Sequence, residues 1–118
     1  MNSIVKESLL FDFYGNMLTE KKQHVMRLYH EENLTLSEIA ENAGISRAAV
    51  HDSLKKAERQ LADFESKLGL VEKFIKTDDT VERAGGMIDR LLLEYGDDRE
   101  LCEQLKKIRS LVADLAAL

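Results

Sequence analysis

Apolar side chains return every three or four residues along nearly the whole of this chain, and no proline interrupts them. That spacing is the period of an α-helix, in which residues three and four apart share a face. A proline would remove a backbone donor and clash with the preceding turn, so its absence lets such segments run unbroken. β-branched runs, the mark of strands, are scarce. The pattern predicts an all-α protein of five to seven helices without a sheet.

Local signals divide the chain. The first predicted helix opens near Ser3, carries Ile4, Val5, Leu9, Leu10 and Phe13, and ends around Gly15-Asn16, which accept a left-handed turn. The second starts at Thr19 as N-cap, with Glu20 at its positive end and Val25, Met26, Leu28 and Tyr29 as its apolar residues, and stops near Glu32-Asn33. A short helix over Leu36–Ala43, with Ser37 as its cap, runs into Gly44. Ile45 is then buried, Ser46 caps, and a longer helix begins at Arg47. Its inner stripe is Val50, Leu54, Ala57, Leu61, Phe64 and Leu68, a heptad-like row made to pack against other helices.

Beyond Gly69 the stripe continues through Val71, Phe74, Val81, Ala84, Ile88, Leu91 and Tyr95. Either one bent helix or two helices, split at Thr77-Asp78-Asp79-Thr80, would carry it. Gly85-Gly86 implies a kink or a close crossing. Gly96-Asp97-Asp98 breaks the chain before a last helix bearing Leu101, Leu105, Ile108, Val112 and Leu115. Residues 1–68 therefore read as one domain and residues 69–118 as a helical extension. A chain of this length has little surface to hide so many stripes, so the extension either folds back on the first domain or pairs with a second copy as a homodimer.

The informative stretch is Leu36 to Lys56. A helix-turn-helix needs a small residue where its two helices cross, a glycine at the turn, an apolar plug after it, a cap, and a buried residue one turn into the second helix. Ala40, Gly44, Ile45, Ser46 and Val50 meet these needs in order, with Ile39 and Ala43 as further inward positions. One departure is Ser53, where an apolar residue is usual and Leu54 takes over. A plain helical hairpin with a glycine C-cap is the alternative; the full set of offsets with serine caps favours the motif. The outward face of its second helix is then Arg47, His51 and Lys55, flanked by Ala48, Asp52 and Lys56. Ser46, Arg47 and Ala48 stand where base edges are met, His51 lies on the same outward stripe, and Lys55 and Lys56 are within reach of phosphates.

These residues resemble a known motif. LSEIAENAGISRAAV, followed by HDSLKKAERQL, is similar to the helix-turn-helix in region 4 of bacterial sigma-70-type factors. The flanking FDFYGNMLTEKKQHVMRLYHEENLTLSEIA and FESKLGLVEKF narrow the resemblance to the small bacterial YlxM-type helix-turn-helix family, most clearly over Leu9 to Lys76. The resemblance implies a sigma-region-4-like domain. It also implies a link to the signal recognition particle pathway, because family members are encoded beside genes for that particle's protein machinery.

Composition limits the function classes. Seventeen Lys/Arg against 22 Asp/Glu give a net charge of −5, so contact with nucleic acid has to come from a local patch rather than bulk charge. No apolar segment is long enough for a bilayer, no secretory signal opens the chain, and the single Cys102 forms no internal disulfide, which together indicate the cytosol. His24, His30 and His51 are too scattered for a metal site. The glycines at 85 and 86 lack the Lys-Ser/Thr of a phosphate loop. Asp78-Asp79 and Asp97-Asp98 read as helix caps. Neither a cofactor nor catalysis is expected. Three readings stand: a DNA-binding regulator, an adaptor contacting the particle's RNA or GTPase, and a scaffold acting through its C-terminal helices.

Overall fold

The computed structural model describes residues 3–116, with side chains from Val5 to Ala116. Six α-helices and one 3-10 turn account for almost all of them: α1 (Ser3–Tyr14), the 3-10 turn (Gly15–Met17), α2 (Glu20–His30), α3 (Leu36–Ala43), α4 (Arg47–Leu68), α5 (Leu70–Glu94) and α6 (Arg99–Ala116). No strand occurs among the described residues. Contacts group the chain into two compact units, one up to Val71 and the other from Glu72 onward. Ile4, read as one of the apolar residues of α1, lies outside the described side chains.

The first unit wraps α1, α2 and α3 around α4. Val50, Leu54, Ala57 and Leu61 of α4 are buried against Val25, Met26 and Leu28 of α2 and Ile39 and Ala40 of α3. The predicted stripe of α4 thus forms the axis of the core, although Phe64 is only half-buried and Leu68, at its end, is exposed. Burial of this kind, about 25 cal/mol per Å² of apolar surface, is what holds such short helices folded.

The end of α1 differs from the sequence reading. Gly15 and Asn16 make no left-handed turn; among the described residues only Asn33, Gly44 and Gly69 have positive φ. The chain tightens instead into the 3-10 turn, where Gly15 is buried and any Cβ would meet the Phe11 ring at 2.9 Å. Space, not backbone conformation, requires glycine here. Val5 and Phe13 are exposed, and the residue that α1 sends fully into the core is Tyr14.

Tyr14 fastens α1 to the junction of α4 and α5. Its hydroxyl donates to Glu65 Oε1 and accepts from the Leu70 backbone N–H at 3.0 Å. The Val71 N–H donates to the same Glu65 oxygen at 2.9 Å. Two of the N–H groups that the first turn of α5 cannot satisfy internally are therefore satisfied by side chains. Burial pushes the Tyr14 pKa above its ordinary 10.0, and the hydrogen bond to Glu65 adds to the rise.

In the second unit α5 and α6 form an antiparallel hairpin. Asp98 N–H donates to Tyr95 O at 3.0 Å, and Asp98 Oδ1 caps α6 by accepting from Leu101 N–H at 3.1 Å. Ile88 and Leu105 are buried in the seam. Gly85 lies under the Arg109 guanidinium, which a Cβ would approach to 2.8 Å, and Arg109 Nε donates to Asp89 Oδ1 at 3.1 Å. Gly85 thus marks a close approach. α5 runs unbroken through residues 77–80, so Asp78 and Asp79 cap nothing. Thr80 bonds back to the Lys76 carbonyl at 2.8 Å, a pattern of helix interiors.

Candidate nucleic-acid interface

The corner between α3 and α4 is built by caps at both ends. Thr35, not Ser37, is the N-cap of α3: its Oγ1 accepts from Glu38 N–H at 3.1 Å, and Glu38 Oε1 accepts from Thr35 N–H at 3.1 Å. This reciprocal box leaves Ser37 inside the first turn. The Thr-x-x-Glu spacing was the available signal. At the other end Gly44 takes φ 69°, and the Ile45 N–H closes onto the Ala40 carbonyl at 3.1 Å. A β-carbon would strain that left-handed conformation, so glycine is the residue that turns the chain here. Ile45 is half-buried over the corner. Ser46 Oγ then accepts from Ala49 N–H at 3.0 Å and starts α4.

With Ile39, Ala40, Val50 and Leu54 buried, the opposite face of α4 is determined. Ser46, Arg47, Ala48, His51, Lys55 and Lys56 are all exposed. Arg59, one turn beyond Lys55, extends the row to Arg47, His51, Lys55 and Arg59 at four-residue spacing; the sequence reading stopped one turn short of it.

The electrostatics of this face are uneven. Lys55 pairs with Glu58 at 3.6 Å and Lys56 with Asp52 at 3.0 Å. Both pairs stand in water and are worth well under ~1 kcal/mol, so a phosphate displaces them at small cost. Arg47 and Arg59 form no ion pair among the described residues. The first turns of α2, α3, α5 and α6 each hold a glutamate, whereas the first turn of α4 holds no acid. The positive end of the α4 dipole is therefore uncompensated and sits beside Arg47, a combination that attracts anions. Ser46 uses an oxygen lone pair for its cap and keeps its O–H proton for an outside acceptor. Around this patch α3 exposes Glu38 and Glu41.

The histidines stay apart. His24 Nε2 lies 3.3 Å from Asn42 Oδ1, and the His30 ring packs edge-on to Tyr29. No cluster of metal-ligating side chains forms among the described residues. Cys102 donates its thiol to the Tyr95 carbonyl at 3.2 Å, inside the hairpin turn. Among the described residues no helix is long and apolar enough to cross a membrane.

Known proteins share this arrangement of sequence. The family described as "Putative helix-turn-helix protein, YlxM / p13 like" matches residues 1–108. A UPF0122 protein of Desulforamulus reducens is 42% identical over 108 residues, spanning 92% of this chain and 91% of the relative. One from Geobacillus sp. strain WCH70 is 33% identical over 111 residues, spanning 94% and 98%. One from Malacoplasma penetrans is 49% identical over 67 residues, spanning 57% and 63%.

Proposed function

The chain belongs to the YlxM/p13-like helix-turn-helix family, and from that premise we propose that it is a cytosolic DNA-binding regulator rather than an enzyme, with α4 as its recognition helix. Ser46, Arg47, Ala48 and His51 meet base edges in the major groove. Lys55, Lys56 and Arg59 neutralise phosphates, exchanging their exposed carboxylate partners for the DNA backbone. The observation that carries this reading is the acid-free, arginine-bearing start of α4, exposed at Ser46, Arg47 and Ala48, on a chain whose α2, α3, α5 and α6 each carry a glutamate in the first turn. Phosphate neutralisation supplies most of the affinity of such contacts, and a few ordered side chains supply the sequence preference.

Fluorescence-anisotropy titration against DNA selected from a random pool tests it, over a range of salt. Arg47→Ala weakens binding to the selected sequence by ~1–3 kcal/mol and relaxes its preference. Lys55→Ala weakens all sequences alike and lowers the salt slope by about one. Binding that is absent at low salt, or unmoved by both substitutions, overturns the reading.

A second reading rests on the acidic setting of the patch. Asp52 and Glu58 already engage two of its lysines, and Glu38 and Glu41 stand close in sequence to the turn. A protein surface, or a folded RNA read by shape, tolerates that mixture better than duplex DNA. On this reading the chain is an adaptor contacting the signal recognition particle's RNA or GTPase. Including that RNA in the selection pool, and the GTPase in a parallel pull-down, separates the two.

A further inference from the structure

The α5–α6 hairpin carries more apolar surface than its own seam can cover, and that surplus is organised. Gly85, Ile88 and Leu92 of α5 face Leu105, Arg109 and Val112 of α6. Beside this seam a second row on α5 holds Ala84, Met87, Leu91 and Tyr95. A second row on α6 holds Leu101, Ile108, Leu111 and Leu115. Met87, Leu91, Tyr95 and all four of the α6 row are exposed, from 36% at Leu101 to 67% at Leu111. On a wheel of 3.6 residues per turn, both rows are displaced from the seam in the same rotational sense. In antiparallel helices equal displacements emerge on the same side, so the two rows make one continuous apolar face. The opposite side carries Glu82, Asp89, Lys106 and Ser110, with Leu93 as its isolated apolar residue.

We propose that this face binds the same face of a second copy of the chain, the two hairpins together forming a four-helix bundle. The surface goes beyond the nucleic-acid reading and does not depend on it.

Area selects this occupant. With roughly 200 Å² for a fully exposed large side chain, the seven exposed residues offer about 700 Å² per copy, which doubled falls within the range of stable protein interfaces.

Sedimentation equilibrium of the full chain, with circular dichroism as a fold control, tests the proposal. The wild type sediments at twice 13.4 kDa. Ile108→Glu with Leu111→Glu sediments as a monomer of unchanged helicity, its dimer affinity lowered about 100-fold or more. Leu93→Glu, on the far side, stays dimeric. A wild type that stays monomeric at about 100 μM, far above the Kd of a stable dimer, overturns the proposal. So does a dimer that survives the double glutamate substitution.

Discussion

The two units of this chain are made from the same helical periodicity and end up very differently packed. Among the described residues fourteen apolar side chains are buried, of which twelve lie in the first unit and two, Ile88 and Leu105, in the second. The hairpin nonetheless holds nine of the fifteen exposed large apolar residues among those described. Four helices enclose a volume, so a stripe on α4 meets neighbours on several sides. Two helices share one seam, so a stripe of equal width is half uncovered. Apolar periodicity says that a helix has a face to hide; the number of neighbours decides whether it is hidden.

The contrast can be broken most directly at a leucine in each unit. Leu61→Ala opens the first core and costs about 2–5 kcal/mol, whereas Leu93→Ala, at 86% exposure, changes stability by no more than ~0.5 kcal/mol. Urea midpoints measure both, and equal losses would erase the distinction.

Tyr14→Phe sharpens it at the clamp between α1 and the start of α5. The change leaves Glu65 and the Leu70 N–H short of a partner, at a cost of ~1–3 kcal/mol. It also alters the alkaline limit. The folded protein holds the Tyr14 proton more tightly than the unfolded chain, which releases it near 10.0. Stability from this source is full below that pH and falls as pH rises through the higher folded value. Denaturation followed from pH 9 to 11 is therefore flatter for Tyr14→Phe than for the wild type.

The caps give smaller effects. Thr35→Ala costs ~1 kcal/mol, and Ser37→Ala, which removes no cap, costs almost nothing. Thermal melts that ranked Ser37 above Thr35 would contradict the capping box. The glycines complete the series. Gly44→Ala places a side chain at φ 69° and costs about 1–2 kcal/mol. Gly85→Ala displaces only the far end of Arg109, and the gain in helix propensity offsets the lost bond to Asp89, for a net change of about 0.5 kcal/mol or less.

The helix-turn-helix was legible because its requirements are local. Ala40, Gly44, Ile45, Ser46 and Val50 are separated by offsets that a single turn of chain enforces, and the outward face of α4 follows from which of them point inward. Arg59 was missed only because the row was ended a turn early. The misread details had other causes. Thr35 lay one residue outside the stretch taken as the helix, although its spacing to Glu38 was visible. Asp78 and Asp79 resembled a helix start because acids favour first turns, but acids also tolerate solvated helix interiors, and sequence does not separate the two.

Sequence by itself determined that the chain is helical, its breaks at Gly44, Gly69 and Asp98, and the apolar stripe of α4, because these depend on residues within a turn or two of one another. Tertiary structure alone decided that Tyr14 anchors a junction whose partners lie 51 and 56 residues away, that Gly15 yields to the Phe11 ring, and that half of the hairpin's apolar surface stays in water. Each of those outcomes depends on which distant segments arrive at the same place, and a periodic pattern carries no record of that.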